Sequence, residues 1–265
     1  MASPSALRVP VALPRATGAQ PSALPRGCFI VGTDTGVGKT VVTAALARWM
    51  HGQGVGVGVM KPIETGVTDQ TAGASDAERL RRAAGSTDLL EEVSPYRFPA
   101  PVAPLAAARA REIRIDLERI ALAFRALAAR HAFMLVEGIG GVRVPLTGTS
   151  EVRDLVNALA LPALVVGRPA IGGVNHALLT IEALQQRHVS VLAVVLNHSL
   201  PPEPSTNETT QQSSTLEMLR ELAGVRVVGP LAYESRLGGA WDDGVELLAK
   251  NPTIGALGEL LLAKA

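Results

Sequence analysis

The amino-acid sequence predicts an α/β fold: a single doubly wound, mostly parallel sheet of the P-loop type, with helices on both faces. Runs of Val, Leu, Ile and Ala alternate along the chain with segments of helical pattern. These runs are continuously apolar, as expected for parallel strands that helices cover on both faces. A glycine-rich loop joins the first predicted strand to the first predicted helix. In such folds ligands bind at the carboxyl ends of the strands, so the chemistry is expected there.

The composition excludes several classes of protein. The chain has 265 residues, of which 47% are hydrophobic and 18% charged, and its net charge is +1. Without a basic stretch, neither nucleic acid nor an anionic membrane is an implied partner. No apolar run approaches the length of a membrane span. The single cysteine, Cys28, cannot form an internal disulfide and fits a small buried strand residue, so we expect a cytoplasmic protein.

The first 26 residues differ from the rest of the chain. They contain five prolines, three arginines and no acidic residue. Such a segment buries too little apolar surface to order itself, so residues 1–26 are predicted to be a flexible tail. A transit peptide and an overlong start are alternatives for this segment. Residues 27–265 are predicted to form the α/β domain.

The first predicted elements surround the glycine-rich loop. A strand over 28–31 precedes the loop, and a helix over 41–50 follows it. The next strand, 55–60, is rich in Gly and Val. It ends at Lys61-Pro62, because proline cannot donate a hydrogen bond to a neighbouring strand.

Capping and proline signals mark the middle of the chain. Ser75 and Glu78 have capping-box spacing, which predicts a helix through about Ala84. Four prolines within 94–104 exclude a helix and a central strand, so this stretch is predicted to be a fixed loop. A long helix is expected from about Asp116, since the apolar residues that follow share one helical face. They are Leu117, Ile120, Phe124 and Leu127.

The second half of the chain continues the alternation of strand and helix. The predicted strands are 132–136, 163–166, 189–196 and 225–228, and the predicted helices are 151–159, 173–187, 208–222 and 253–264.

The glycine-rich loop, Gly32–Thr40, has the order of a phosphate-binding loop. Its glycines let backbone N–H groups surround phosphate oxygens, and the following helix directs its positive dipole end at the same anion. Lys39 is predicted to reach the terminal phosphates and Thr40 to bind Mg²⁺. Thr33 stands where the common motif has its first glycine, so the motif is irregular. An ordinary glycine turn between strand and helix is the alternative.

Two acids and a second lysine are candidates for the same site. Glu137 follows the apolar run 132–136, at the predicted strand end, where nucleotide-bound Mg²⁺ would be held. Asp76 is a second possible ligand, although acids are common in the first turn of a helix. Lys61 at the end of the second strand could stabilise a transferring phosphoryl group. A solvated acid and a surface lysine are the alternatives.

Other polar residues have weaker patterns. Residues 172–176 open a helix whose free N–H groups suit a carboxylate or phosphate, and His176 has no assigned role. Asn197 ends the strand 189–196 and could contact a base edge or turn the chain. The remaining histidines show no spacing typical of a metal site.

Together these segments resemble the dethiobiotin synthetase family. The resemblance extends from about Phe29 to Leu231. It rests on six segments, namely 32–40, Lys61-Pro-Ile-Glu-Thr-Gly66, Ser75-Asp76, Pro101-Val-Ala-Pro104, Val136-Glu-Gly-Ile-Gly-Gly141 and Gly172-Gly-Val-Asn-His-Ala-Leu-Leu-Thr180.

The resemblance implies a homodimeric, Mg²⁺-dependent enzyme that uses ATP, CO₂ or bicarbonate, and 7,8-diaminopelargonate. An amine of the substrate takes up CO₂ as a carbamate, the γ-phosphoryl group of ATP activates the carbamate, and the second amine closes the ureido ring. A carbamate and its phosphorylated form are anionic and sensitive to water. Lysines, Mg²⁺ and a partly closed site suit both properties.

The resemblance also implies roles for individual residues. Lys39 and Lys61 would be catalytic, and Thr40, Asp76 and Glu137 would hold Mg²⁺. The implied substrate contacts are Thr65, Gly173 and Asn175, the last two across the dimer interface. The implied nucleotide contacts are Gly36, Val37, Gly38, Lys39, Thr40, Val41, Glu137, Gly138, Ile139, Gly140, Asn197, His198, Pro230, Leu231 and Ala232.

The sequence departs from the family pattern at two of the implied nucleotide contacts. Gly36 stands where some members of the family have an acid, and His198 stands where an Asp is frequent. The residues from Tyr233 onward match weakly.

The principal alternative function is a switch ATPase like MinD or ParA. Those proteins carry an additional lysine early in the phosphate loop, where this chain has Asp34. The last predicted helix also lacks the basic amphipathic pattern of a membrane anchor. A cobyrinate-amidating ligase would need a nucleophilic cysteine, and Cys28 is misplaced for that role.

Overall fold

The computed structural model describes residues 26–68, 73–201 and 206–264, without the side chains of 206–208. The predicted tail lies almost wholly outside these residues. The strands are β1 (Gly27–Gly32), β2 (Val57–Met60), β3 (Ile63–Thr65), β4 (Tyr96–Phe98), β5 (Phe133–Gly141), β6 (Ala163–Gly167), β7 (Val191–Asn197) and β8 (Arg226–Leu231). The helices are α1 (Lys39–Gly52), α2 (Asp76–Ala84), α3 (Leu90–Val93), α4 (Pro104–Ala110), α5 (Leu117–Ala128), α6 (Val152–Ala158), α7 (Gly173–Gln185), α8 (Thr206–Leu222), α9 (Trp241–Ala249) and α10 (Pro252–Lys264).

Six strands form a parallel central sheet in the order β2-β5-β1-β6-β7-β8. Every residue of β1, β2 and β6 is buried, which explains their continuously apolar sequences. After β1 the chain forms β2 and β5 on one side of β1 and then β6, β7 and β8 on the other side. The loop after β1 therefore lies at the point where the strand order reverses, the usual ligand position in such sheets.

Helices cover both faces of this sheet, as the sequence predicts. Helix α1 packs against α2, α9 and α10, whereas α7 packs against α8 and α3 against α5. Because parallel crossovers are right-handed, connections that run in opposite directions along the sheet place their helices on opposite faces. The predicted doubly wound α/β fold is confirmed. Cys28 is fully buried in β1, as expected.

The capping box predicted at Ser75 and Glu78 is also confirmed. Ser75 caps α2 with its side chain and forms the capping box with Glu78. Asp116 caps α5 by accepting a hydrogen bond from the backbone of Glu118. The described residues contain no helix with the length and apolar character that crossing a membrane requires.

Strand β5 corrects the prediction that Glu137 follows the end of its strand. The strand continues to Gly141, and Glu137 pairs with Ile30 of β1 inside it. The pairing with β1 becomes irregular between Ile30 and Gly32, where the glycines let the backbone continue. Strand β2, by contrast, ends opposite Val136, so the Glu137 side chain still lies beside the edge of the sheet.

The proline-rich stretch 94–104 is not wholly a loop. Residues Tyr96–Phe98 form β4, which pairs in parallel with β3 in a separate two-stranded sheet. Pro104 is the first residue of α4, where a proline needs no hydrogen-bond donor. The prolines exclude this stretch from the central sheet, but they do not exclude a three-residue strand between Pro95 and Pro99.

Candidate functional site

The loop after β1 needs glycine for its shape. Gly38 precedes α1 with a φ of 96°, a conformation that other residues rarely adopt. A Cβ atom on Gly38 would lie 2.1 Å from Nδ2 of Asn197, which itself donates to the Val37 carbonyl over 3.0 Å. Gly36 also has a positive φ, of 72°. The loop is therefore fixed by glycine conformations and by Asn197 from β7.

Lys39 lies across this loop. Its Nζ donates to the carbonyl oxygen of Asp34 over 2.9 Å, and the residue is only 7% exposed. Burial and the positive charge of Lys61 lower the pKa of Lys39 to about 8. An anion in the loop would restore the stability of this ammonium, as expected for a lysine that binds phosphate.

Lys61 is held between two carboxylates. Its Nζ lies 2.5 Å from Oε1 of Glu137 and 2.9 Å from Oδ2 of Asp76, and it donates to the Gly138 carbonyl over 3.2 Å. Burial alone would lower the pKa of Lys61, but these carboxylates outweigh burial and raise it. Burial also opposes ionisation of Asp76, yet the Lys61 ammonium holds the pKa of Asp76 below its usual value. Lys61 therefore carries its charge inside the protein.

Thr40 completes this cluster. Its hydroxyl donates to Oε1 of Glu137 over 2.8 Å, while the buried Oε2 of Glu137 has no hydrogen-bond partner in the described residues. Oxygens of Thr40, Asp76 and Glu137 thus lie around one point, and an unpartnered buried oxygen suits a cation. Hard divalent cations prefer such oxygen ligands. The described residues hold no group of three acids, histidines or cysteines able to bind a metal alone, so phosphate or water oxygens would have to contribute.

A cavity of about 500 Å³ lies over the loop and this cluster. Its volume falls within the usual range for small-molecule sites. The structure brings most of the sequence-predicted site residues into its wall. They are Gly36, Gly38, Lys39, Thr40, Val41, Lys61, Thr65, Asp76, Glu137, Ile139, Gly140, Asn197, His198 and Ala232.

Other predicted residues lie next to the cavity or away from it. The carbonyls of Val37 and Gly138 accept hydrogen bonds from Asn197 and Lys61. Pro230 and Leu231 belong to β8, where the Leu231 carbonyl accepts from the backbone of His198 over 3.0 Å.

Gly173 and Asn175 lie outside the cavity wall, at the start of α7. A Cβ atom on Gly173 would approach the Arg168 carbonyl to 2.4 Å, so glycine is required for close packing. Asn175 is exposed.

Several residues of the cavity wall have no role predicted from the sequence. Glu64 is buried, and its carboxylate accepts a hydrogen bond from the backbone of Asp76. The Arg79 guanidinium lies 4.1 Å from the centre of the Trp241 ring. The sequence signal for Glu64 is its place next to Thr65 in the segment Lys61-Pro-Ile-Glu-Thr-Gly66. Further unassigned wall residues come from segments with no recognised motif, namely Tyr233, Glu234, Leu237, Gly238 and Trp241.

Comparison with known sequences gives consistent matches. A family model described as AAA domain matches residues 26–240. An ATP-dependent dethiobiotin synthetase BioD of Anaeromyxobacter dehalogenans is 50% identical over 67% of this chain and 79% of its own length. The protein of that name from Thermodesulfovibrio yellowstonii is 41% identical over 80% of this chain and 90% of its own length.

Comparison with solved structures identifies the fold. The MinD cell division protein of Aquifex aeolicus superposes with a TM-score of 0.55 and 15% identity, over 90% of this chain and 95% of that chain. A ParA family ATPase from Chlorobium tepidum superposes with a TM-score of 0.50 and 14% identity, over 88% of this chain and 98% of that chain. At these identities the likeness concerns the fold alone.

Proposed function

Because the chain belongs to the ATP-dependent dethiobiotin synthetase family, we propose that it forms dethiobiotin from 7,8-diaminopelargonate, CO₂ and ATP. The observation that carries the proposal is the Lys61 ammonium, buried between Asp76 and Glu137 in the wall of the cavity that holds the phosphate loop. A fixed cation at this position suits a reaction whose intermediates are anions.

The reaction divides into three steps. One amine of the substrate attacks CO₂ and loses a proton, which gives a carbamate. A carbamate oxygen then attacks the γ-phosphorus of ATP and ADP leaves, which gives a carbamic-phosphoric anhydride. The second amine attacks the carbonyl carbon, phosphate leaves, and the ureido ring closes.

The two lysines stabilise the charges of these steps. Lys39 would contact the terminal phosphates of ATP, and the negative charge that develops on the β-phosphate as ADP leaves would favour the protonated form of Lys39. Lys61 keeps its proton because of its carboxylate partners, so it stabilises the carbamate as a cation rather than by giving up a proton. Thr65 in the same cavity wall offers a hydroxyl to the substrate.

Thr40, Asp76 and Glu137 would hold Mg²⁺. The unpartnered Oε2 of Glu137 and the mixture of hydroxyl and carboxylate oxygens fit a cation that keeps water or phosphate ligands. When bound, Mg²⁺ would neutralise the phosphate charges of ATP. The protein contributes the position of these three oxygens: Thr40 belongs to α1, Asp76 to α2 and Glu137 to β5.

Asn197 and His198 would bind the adenine base, together with Pro230, Leu231 and Ala232. The Asn197 amide group donates to the Val37 carbonyl through Nδ2, so its carbonyl oxygen is the atom that can accept from the exocyclic amine of adenine. Asn197 thus connects base recognition to the conformation of the phosphate loop.

The protein would act as a homodimer in which Gly173 and Asn175 contact the carboxylate tail of a substrate bound to the partner subunit. Support comes from the exposed start of α7, where Ile171 is 82% and Leu179 is 54% exposed. Apolar side chains at this position, beside the exposed Asn175, suit a protein contact better than solvent.

The test is incubation of the purified protein with Mg²⁺, ATP, bicarbonate and 7,8-diaminopelargonate, followed by mass spectrometry. We expect dethiobiotin from the wild type and its loss in Lys39→Ala and Lys61→Ala. ATP hydrolysis that ignores the diamine, without dethiobiotin, would overturn the proposal and favour a switch ATPase.

A further inference from the structure

Glu64 lies in the small sheet, next to the proposed site. It belongs to β3 and is 5% exposed. Its Oε1 accepts a hydrogen bond from the backbone N–H of Asp76 over 2.5 Å. The backbone N–H of Ala77 faces the same carboxylate. Glu64 therefore contacts the first turn of α2 from outside that helix.

Helix α2 thus has two caps of different origin. The Ser75 hydroxyl accepts from the backbone N–H of Glu78, and the Glu78 carboxylate accepts from the backbone N–H of Ser75. This local capping box leaves the N–H of Asp76 without a partner inside the helix, as is usual for a first turn. Glu64 supplies that partner by accepting the hydrogen bond at the positive end of the helix dipole, while burial and the Asp76 carboxylate raise the pKa of Glu64.

This hydrogen bond affects the site because the backbone and the side chain of Asp76 have different partners. Its N–H binds Glu64, while its side chain contacts Lys61 over 2.9 Å and belongs to the proposed Mg²⁺ ligands. A helix end can pivot about its cap, so the local box alone does not fix the direction of the Asp76 carboxylate. The bond to Glu64 fixes the Asp76 backbone against β3.

We propose that Glu64 is a positioning residue: it holds Asp76 where the Asp76 carboxylate meets both Lys61 and the nucleotide-bound cation. The inference rests on the proposed function for the identity of that cation. Groups that orient a metal ligand commonly change metal affinity by about 10-fold to 100-fold when they are removed.

The experiment measures how much Mg²⁺ strengthens nucleotide binding. The dissociation constant of a β,γ-imido analogue of ATP is determined by calorimetry, once in EDTA and once in Mg²⁺. The value in EDTA divided by the value in Mg²⁺ gives a ratio, which is compared between variants. In Glu64→Ala we expect that ratio to fall about tenfold with the affinity in EDTA unchanged. Glu64→Gln should retain most of the ratio, because its amide oxygen still accepts from Asp76.

Ser75→Ala is the matched control, because it removes the other cap of α2 and leaves the Asp76 N–H bond intact. An equal fall of the ratio in Ser75→Ala and Glu64→Ala would mean that Glu64 only stabilises the helix, and would overturn the proposal. An unchanged ratio in Glu64→Ala would overturn it too. Should Glu64→Ala fail to fold, Glu64→Met fills the same space without an acceptor, and the same measurement applies.

The steady-state kinetics separate positioning from direct substrate contact. The Oε2 atom of Glu64 is buried without a hydrogen-bond partner in the described residues, so a direct contact with the diamine is the competing role. A higher KM for the diamine in Glu64→Ala, with an unchanged Mg²⁺ ratio, would establish that role and overturn positioning. The calorimetric ratio needs no diamine, so the inference can hold even if dethiobiotin synthesis fails.

Discussion

At the scale of single residues, the site depends on two buried lysines that have different partners. Lys61 contacts two carboxylates at once, whereas the hydrogen bond that Lys39 donates within the described residues goes to a carbonyl oxygen of its own loop. The pKa values of the two lysines shift in opposite directions as a result. Lys61 is a permanent cation, whereas Lys39 depends on the nucleotide for its charge. This difference leads to separate predictions for the two residues.

Lys61→Met removes the ammonium and leaves two facing carboxylates. We expect dethiobiotin formation to fall by at least about 100-fold, the usual loss when a stabilising charge is removed from a reaction site. Breaking a buried ion pair should also destabilise the fold, by about 3–5 kcal/mol. Activity assays and chemical denaturation measure the two effects.

Lys250→Met is the control, because Lys250 forms an exposed i,i+4 pair with Glu246. Equal losses in both variants would contradict a special role of Lys61.

Nucleotide affinity should depend on pH through Lys39. In the free protein the pKa of Lys39 is about 8, and bound phosphate must raise it, since negative charge favours the ammonium. Affinity is therefore greatest below about pH 8 and falls as the pH rises above that value, by at most about tenfold per unit. Calorimetry with ADP in EDTA between about pH 7 and 10 measures this fall, and Lys39→Gln should abolish it. An affinity of the wild type that stays constant over this range would refute the prediction.

At the scale of elements, the phosphate loop and α2 show how neighbouring segments fix one site. The loop after β1 takes its shape from its own glycines and from Asn197 at the end of β7. Helix α2 takes its first cap from its own sequence and its second from Glu64 in β3. In both cases a local motif forms the element and a distant residue determines its position.

Gly38→Ala should prevent nucleotide binding and leave the fold intact. The new Cβ would lie 2.1 Å from Asn197 Nδ2, at a φ of 96° that disfavours any side chain. We expect at least about a 100-fold loss of ATP affinity, measured by calorimetry, because the loop must open away from its phosphate-binding shape. Gly52→Ala at the other end of α1 is the control, since a Cβ there meets nothing within 4 Å. Tight ATP binding by Gly38→Ala would contradict this account of the loop.

At the scale of the whole molecule, the exposed start of α7 is the surface proposed to bind a second copy of the chain. Ile171 precedes the helix, and Leu179 lies about two turns into it on the same side as Asn175. Because residues four apart share one face of a helix, Asn175 and Leu179 lie on the same face of α7, next to the exposed Ile171.

Leu179→Glu should convert the proposed dimer to monomers, because it replaces an apolar side chain of this surface with a charge. Analytical ultracentrifugation is expected to give twice the monomer mass for the wild type and the monomer mass for the variant. Leu122→Glu on α5 serves as the control, since Leu122 is similarly exposed, at 57%, but lies elsewhere. Sedimentation of the wild type as a monomer would contradict the proposed dimer.

Local sequence was sufficient for much of the fold. The continuously apolar strands determined the parallel sheet, and the capping box at Ser75 determined where α2 begins. These features depend on residues that are close together in the chain, so the sequence is enough to predict them. The loop 32–40 and its lysine were recognisable for the same reason.

Only the tertiary structure decided which distant residues meet. Glu137 lies inside a strand rather than at its end, because the glycines after it let β5 continue past its neighbour β2. Glu64 bonds to Asp76 because two separate elements pack together, and the segment around Trp241 forms part of the cavity wall although it carries no motif. The sequence by itself determined the sheet, the phosphate loop and the types of residue at the site. Their distances, partners and pKa shifts arise from packing between segments far apart in the chain, which no local pattern encodes.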